Sequence, residues 1–232
     1  MSDDKPPVRF FGLTLDFEVN VLALVAFLLS ISSLGLQAIQ ILRGATVTLS
    51  PGERVNLVRY IHPGNDDTPI LLVNARLDYV NTGAVGRDAI VSSERLWIEF
   101  GDLGTYEYRW LHYELFVSDD AGAPKNITLD GAHSFLVPGA GAATHQTTFA
   151  PFANSPVLIR NGEKPKATHV FWDDFLERIE TKRPVVLRFY AFDRRGGDPY
   201  QATCTLLITP SVVSALRKVH WTTVLCLPPE TT

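Results

Sequence analysis

The sequence predicts a mainly β protein, with one N-terminal transmembrane helix followed by an antiparallel β-sandwich that carries one or two short helices. Three observations predict it. No charged residue occurs between Glu18 and Arg43, which leaves 24 uncharged residues from Val19 to Leu42. Beyond them, segments rich in β-branched and aromatic residues alternate with period two and are cut by turn residues, the pattern of an antiparallel sheet. The composition, 46% hydrophobic and 20% charged, is that of a folded chain and excludes a disordered or collagen-like one.

The chain divides into a short tail at 1–18, a transmembrane helix at 19–42 and a β-sandwich domain at 43–232. In the tail, Phe11, Leu13, Leu15 and Phe17 alternate with less apolar neighbours. That pattern suits a short strand or an interfacial segment with its rings at headgroup level. The uncharged stretch would span about 36 Å as a helix, enough to cross a hydrocarbon core of about 30 Å with some tilt. A cleaved signal peptide has a shorter apolar core and a small-residue cleavage site. Here Gln37, Gln40 and Arg43 follow instead, so a retained signal-anchor is expected.

Ala23, Ala26, Ser30, Ser33, Gln37 and Gln40 fall at spacings of three and four, on one stripe of that helix. Small and polar residues suit close packing against another membrane helix or a second copy of this one. The alternative is that Ser and Gln bond their own backbone. Lys5 and Arg9 on one flank balance Arg43 and Arg54 on the other, so flanking charge does not orient the helix. A short tail ahead of a large domain favours an exported C-terminal domain.

In the domain, strands are expected at Ala45–Ser50, Val55–Ile61, Ile70–Val80, Ala89–Phe100, Thr105–Val117, Ala132–Val137, Thr144–Phe149, Pro184–Asp193, Gln201–Thr209 and Thr222–Leu227. Ser50-Pro51-Gly52, Asn81-Thr82-Gly83 and Arg195-Gly196-Gly197-Asp198-Pro199 punctuate them as turns. In Ile70–Asn81 the odd-numbered residues Leu71, Val73, Ala75, Leu77 and Tyr79 should turn inward. In VVLRFYAFD both faces are largely apolar, so this is a central strand in which only Arg188 needs an outlet. The Asn-Thr-Gly turn and the late hairpin make the domain similar in architecture to an immunoglobulin-like sandwich. The Cys…Trp…Cys spacing of true immunoglobulin domains is absent.

Two helices interrupt the pattern. Trp172–Glu180 places Trp172, Phe175, Leu176 and Ile179 on one face, with Pro184 beyond its end. Ser211–Val219 follows Pro210 and carries Val212, Val213, Leu216 and Val219. Both are expected to cover a sheet edge or an open end of the sandwich.

Charge argues against nucleic acid as a partner: 21 Lys and Arg stand against 25 Asp and Glu, a formal net charge of -4, whereas phosphate binding needs a cationic surplus. Two cysteines are too few for a disulfide scaffold or a four-thiolate zinc site. Cys204 and Cys226 form a disulfide in an exported domain or remain buried thiols in a reducing compartment. No cofactor motif occurs, because in Gly139–Ala143 Thr144 stands where a G-x-G-x-x-G turn needs glycine.

Six histidines, His62, His112, His133, His145, His169 and His220, form no H-E-x-x-H or H-x-H. His169 and Asp173 have metal-ligand spacing, but a helix-start His with a solvated Asp accounts for them without a metal. His133 and His145 converge only if their strands do. There is no G-x-S-x-G, and Asp119-Asp120 and Asp173-Asp174 fit a turn and a helix start as well as glycoside chemistry. Asn126-Ile127-Thr128 matches a glycosylation acceptor. Tyr106, Tyr108, Trp110 and His112 share one strand face. It either packs across the sandwich or recognises a sugar, a peptide or a partner domain.

These readings imply a single-pass, membrane-anchored, non-catalytic interaction or assembly subunit with a periplasmic or extracellular domain. Its partners would be the lipid bilayer and another membrane protein or itself. A membrane-tethered sensor that oligomerises through its helix, and an anchored hydrolase, are the alternatives.

Overall fold

The computed structural model describes residues 8–10, 13–15, 21–42, 44–60, 69–100, 104–118, 124–151, 172–180, 184–219 and 221–229, with the side chains of 8–10, 13–15, 21–24, 40–42, 114–118, 124–129, 174 and 180 outside that description. The chain forms two compact units, Met1–Gly44 and Ala45–Thr232.

In the first unit, β1 (Val8–Phe10) pairs antiparallel with β2 (Leu13–Leu15), a small hairpin that takes in Leu13 and Leu15 of the tail, while Phe11 and Phe17 lie outside the described residues. Helix α1 (Val21–Leu42) has 22 residues and no acid or base in its terminal turns. Among the described residues no helix is long and apolar enough to cross a membrane.

The second unit contains β3 (Val47–Tyr60), β4 (Ile70–Asn81), β5 (Ala89–Glu99), β6 (Thr105–Ser118), β7 (Pro124–Gly131), β8 (Phe135–Val137) and β9 (Gly141–Pro151). Helix α2 (Trp172–Glu180), β10 (Val185–Asp193), β11 (Tyr200–Leu206), α3 (Pro210–Lys218) and β12 (Trp221–Leu227) complete it. All strand pairs are antiparallel, and they close on themselves in the order β5, β6, β9, β4, β3, β12, β11, β10 and back to β5. β7 hangs from β6 and β8 from β5.

An eight-stranded closed barrel therefore stands where an open two-sheet, immunoglobulin-like sandwich was expected. Long bent strands cause the difference. β6 spends its first residues on β5, from Thr105↔Glu99 to Arg109↔Arg95, then bulges and pairs with β7 instead. β3 runs through Ser50-Pro51-Gly52, read from sequence as a turn, because the pairing jumps from Pro51↔Leu77 to Val55↔Ala75. The two strands expected there are one strand, bent by a bulge that lets it serve both sides of the barrel. A side chain at Gly52 would press its Cβ to 3.2 Å from that of Arg76, so the bulge lies close over the neighbouring strand.

The alternation expected for β4 is present. Leu71, Val73, Ala75, Leu77 and Tyr79 are all buried, as are Val185, Leu187, Phe189 and Ala191 on β10. Arg188, on the other face, finds its outlet in Glu99 at 2.7 Å. Both helices form where the apolar spacing placed them. α2 adds Trp172, Phe175, Leu176 and Ile179 to the same core, and its first N–H donates to the Pro69 carbonyl at 2.9 Å. The Arg178 guanidinium lies over the rings of Phe100 and Tyr106, at 5.4 and 5.1 Å. In α3, Thr209 caps the helix by accepting the Val212 N–H, with Pro210 at its start and Arg217 and Lys218 in its last turn.

Candidate functional site

The helix stripe is the first group of expected functional residues. Ala26, Ser30, Ser33 and Gln37 are exposed on α1, while the side chains of Ala23 and Gln40 lie outside the described residues. Ser30 donates to the Ala26 carbonyl at 2.8 Å. Its hydroxyl is therefore occupied by its own helix, the simpler of the two roles open to it.

The aromatic strand face resolves differently. Tyr106 and Tyr108 stand opposite Ile98 and Leu96 and point into the barrel. Tyr108 is fully buried, its hydroxyl has no hydrogen-bond partner, and burial pushes its pKa well up. Tyr106 meets Phe100 edge-on at 5.7 Å, and Trp110 meets Tyr113 at 6.2 Å. The bulge after Trp110 changes the phase: Trp110 faces Phe149, but His112 faces Thr148 and Tyr113 faces Thr147. His112 therefore leaves the interior row and Tyr113 takes its place. Three of the four residues form core and not a shared outer surface.

Around Tyr113 the barrel interior turns polar. The Tyr113 hydroxyl donates to the His133 carbonyl at 2.9 Å. The rings of His133 and His145 pack on the Tyr113 ring at 5.5 and 4.9 Å, so the two histidines do converge. Burial, then the charge of His133, pushes the His145 pKa down. His133 also lies 3.4 Å from Asp130. Among the described residues no three His, Cys, Asp or Glu side chains are grouped as metal ligands. His62, His169, His220 and Asp119-Asp120 lie outside the described residues.

Beside Tyr113 sits Glu94, which is only 1% exposed. Tyr79, itself fully buried, donates its hydroxyl to Glu94 Oε1, while Glu94 Oε2 and Thr147 Oγ1 make no hydrogen bond. Burial drives the Glu94 pKa up to about 7, and the hydroxyls of Tyr79 and then Thr147 pull in the opposite direction. Sequence reasoning missed this acid, although a signal existed. In AIVSSERLWI the inward residues change parity, from Ala89 and Val91 to Leu96 and Ile98. The cause is a bulge, since β10 pairs Phe192 with Ser93 and Asp193 with Val91. Followed through that change, the alternation puts Glu94 inside.

The outer face carries a different arrangement. A groove of about 690 Å3 runs over β12, β3, β4 and β9, lined by Glu53, Arg54, Asn56, Arg76, Gln146 and Thr223 among others. Asn56, Gln146 and Thr223 of its lining belong to a ladder of polar side chains that continues into the buried Asn74 and Thr148. Thr223 donates to Asn56 Oδ1 at 2.8 Å, Asn56 Nδ2 to Asn74 Oδ1 at 3.4 Å, and Asn74 Nδ2 to Thr148 at 2.7 Å; Gln146 Nε2 also donates to Asn74 Oδ1. At one side Arg76 pairs with Asp78 at 3.0 Å, and Thr144 donates to the same carboxylate at 2.6 Å. Glu53 and Arg54, on the bulge, overhang it. This surface carries donors, acceptors and the Arg76–Asp78 pair, whereas Glu94 and Tyr79 lie buried inside the barrel.

Cys204 and Cys226 are joined by a disulfide with Cα atoms 5.4 Å apart. The bond crosses the seam between β11 and β12, where only Thr205↔Leu227 and Leu206↔Cys226 pair.

No protein-family model matches the chain, and no curated protein does. Among solved structures it is similar to Spo0M, a sporulation control protein from Bacillus subtilis, at 12% identity and a TM-score of 0.28. The similarity covers 71% of this chain and 49% of that one, so the chain spans about half the length of that structure.

Proposed function

We propose that the protein is a single-pass, membrane-anchored binding subunit whose β-barrel domain, on the exported side, docks another protein without catalysing a reaction. The observation that carries the reading is α1, 22 residues without a charged side chain. In the sequence the uncharged stretch runs from Val19 to Leu42, the length that a hydrocarbon core calls for. The Cys204–Cys226 bond supports the exported side, since such bonds persist in oxidising compartments. The groove supports a binding role, because Arg54, Asn56, Arg76, Gln146 and Thr223 line it at the surface while Glu94, Tyr79 and Tyr108 are buried in the barrel. The balance of charge disfavours nucleic acid as the partner.

The full chain, expressed with a C-terminal compartment reporter, tests both parts. Alkaline washing should leave it in the membrane pellet, and the reporter should be active outside the cytoplasm. Recovery of the intact chain in the supernatant without detergent would overturn the anchor. Affinity purification in detergent should return a second protein, and Arg54→Glu should weaken that recovery while the barrel stays folded. Return of this chain alone, as a monomer, would overturn the binding role.

A further inference from the structure

We propose that the proton on Glu94 is a latch for β8, so that losing it releases Phe135–Val137 from the barrel. The geometry supplies the parts. Glu94 is buried with a donor on one oxygen only. Each element packed against it can be examined for a counter-charge. β4 presents Tyr79, β6 presents Tyr113 and β9 presents Thr147, all neutral hydroxyls. β10 places Ala191 opposite it. Arg95 and Arg109, next along the β5–β6 seam, both attend to Glu107 instead. His133 and His145 pack on the Tyr113 ring, and burial, then the charge of His133, pushes the His145 pKa down. Asp130 adds only negative charge.

A carboxyl so placed is at ease only when neutral. The neutral carboxyl keeps the Tyr79 hydroxyl on Oε1, and Thr147 is the other hydroxyl beside it. Ionisation leaves a charge that burial does not compensate.

β8 is where that cost is relieved. The two phenols beside Glu94 are also the two that hold Phe135: Tyr79 meets its ring at 5.1 Å and Tyr113 at 6.4 Å, with His145 at 4.0 Å. Tyr113 also fixes the residue two before β8 through the His133 carbonyl. β8 itself is attached to β5 by three residue pairs. Water reaches Glu94 most cheaply by lifting this short strand.

The sign follows from linkage. The folded-state pKa of about 7 lies above the ordinary carboxyl value of 4.5. The stabilisation by neutral Glu94 is therefore complete below about 4.5 and is lost as pH rises through about 7. The shift limits the effect to roughly 300-fold in the opening equilibrium.

The test uses the full chain in detergent micelles between pH 5.5 and 8.5, with the glutamate side chains carboxyl-labelled for NMR. One carboxyl should titrate near neutrality. Amide exchange at Phe135–Val137, corrected for its intrinsic pH dependence, should accelerate at least tenfold with the same midpoint. Glu94→Gln should abolish the titrating signal and flatten the exchange profile. An acceleration equal in wild type and Glu94→Gln would overturn the latch. So would glutamates that all titrate in the ordinary range, a result read on the wild type whether or not the variant folds.

Discussion

Asn81 Oδ1 accepts the backbone N–H of Thr46 at 3.1 Å, tying the residue just ahead of β3 to the last residue of β4. The same oxygen accepts from Gly83 N–H at 2.9 Å, and Asn81 Nδ2 donates to the carbonyls of Arg87 and Val137 at 2.9 and 3.1 Å. One buried amide therefore satisfies four backbone groups from three segments. Its two halves are chemically opposite, and both are used.

Asn81→Asp should be destabilising for that reason. A carboxylate can still accept from Thr46 and Gly83 but has no donor for the two carbonyls, which it repels. A loss of roughly 2–4 kcal/mol is expected, from two broken hydrogen bonds and a buried charge. The loss should shrink in acid, as protonation restores one donor. Urea unfolding at pH 7 and pH 4 measures both, and an undiminished midpoint would refute the assignment.

The disulfide has a measurable share in closing the barrel. It spans 22 positions across a seam of two pairs. Constraining a loop of that length is worth about 3 kcal/mol in the chain-entropy treatment. Cys204→Ala combined with Cys226→Ala should lower stability by about that amount. Wild type treated with a dithiol should fall to a similar value. Reductant should leave the variant unchanged.

Tyr108 gives a prediction of the opposite sign. Its hydroxyl is buried without a partner, so it costs the folded state its hydration and returns nothing. Tyr108→Phe keeps the ring and removes the cost. Thermal unfolding should show stability unchanged or raised, by on the order of 1 kcal/mol. A clear loss would mean that the hydroxyl is satisfied by something bound inside the barrel.

What could be read in advance was what local pattern controls. Trp172–Glu180 lies where its apolar face and the following Pro184 placed it, and α3 begins at the proline that opened it. β7 was missed because PKNITLDG, with its proline, asparagine and aspartate, carries no strand signal of its own; its pairing to β6 imposes the conformation. Ring closure escaped for a related reason. Whether β6 meets β5 again or stays in a separate sheet depends on bulges at Trp110 and Tyr113, and alternation predicts faces but not neighbours. The same bulges exchanged His112 for Tyr113, and another in β5 hid Glu94. The polar groove draws its side chains from β3, β4, β9 and β12, and the last two are far from the others in sequence, so only the completed sheet assembles it.

Closure also limits how copies of this domain can stick together. Within the ring every strand has a hydrogen-bonded neighbour on both flanks, and the β11–β12 seam, with two residue pairs, is closed further by the Cys204–Cys226 bond. In the barrel domain the outward margins of β7 and of three-residue β8 are the strand edges outside the ring, and β8 is too short to seed a growing sheet. Crowding many copies at a surface therefore carries little risk of amyloid-like growth from the folded ring, and assembly is left to side chains.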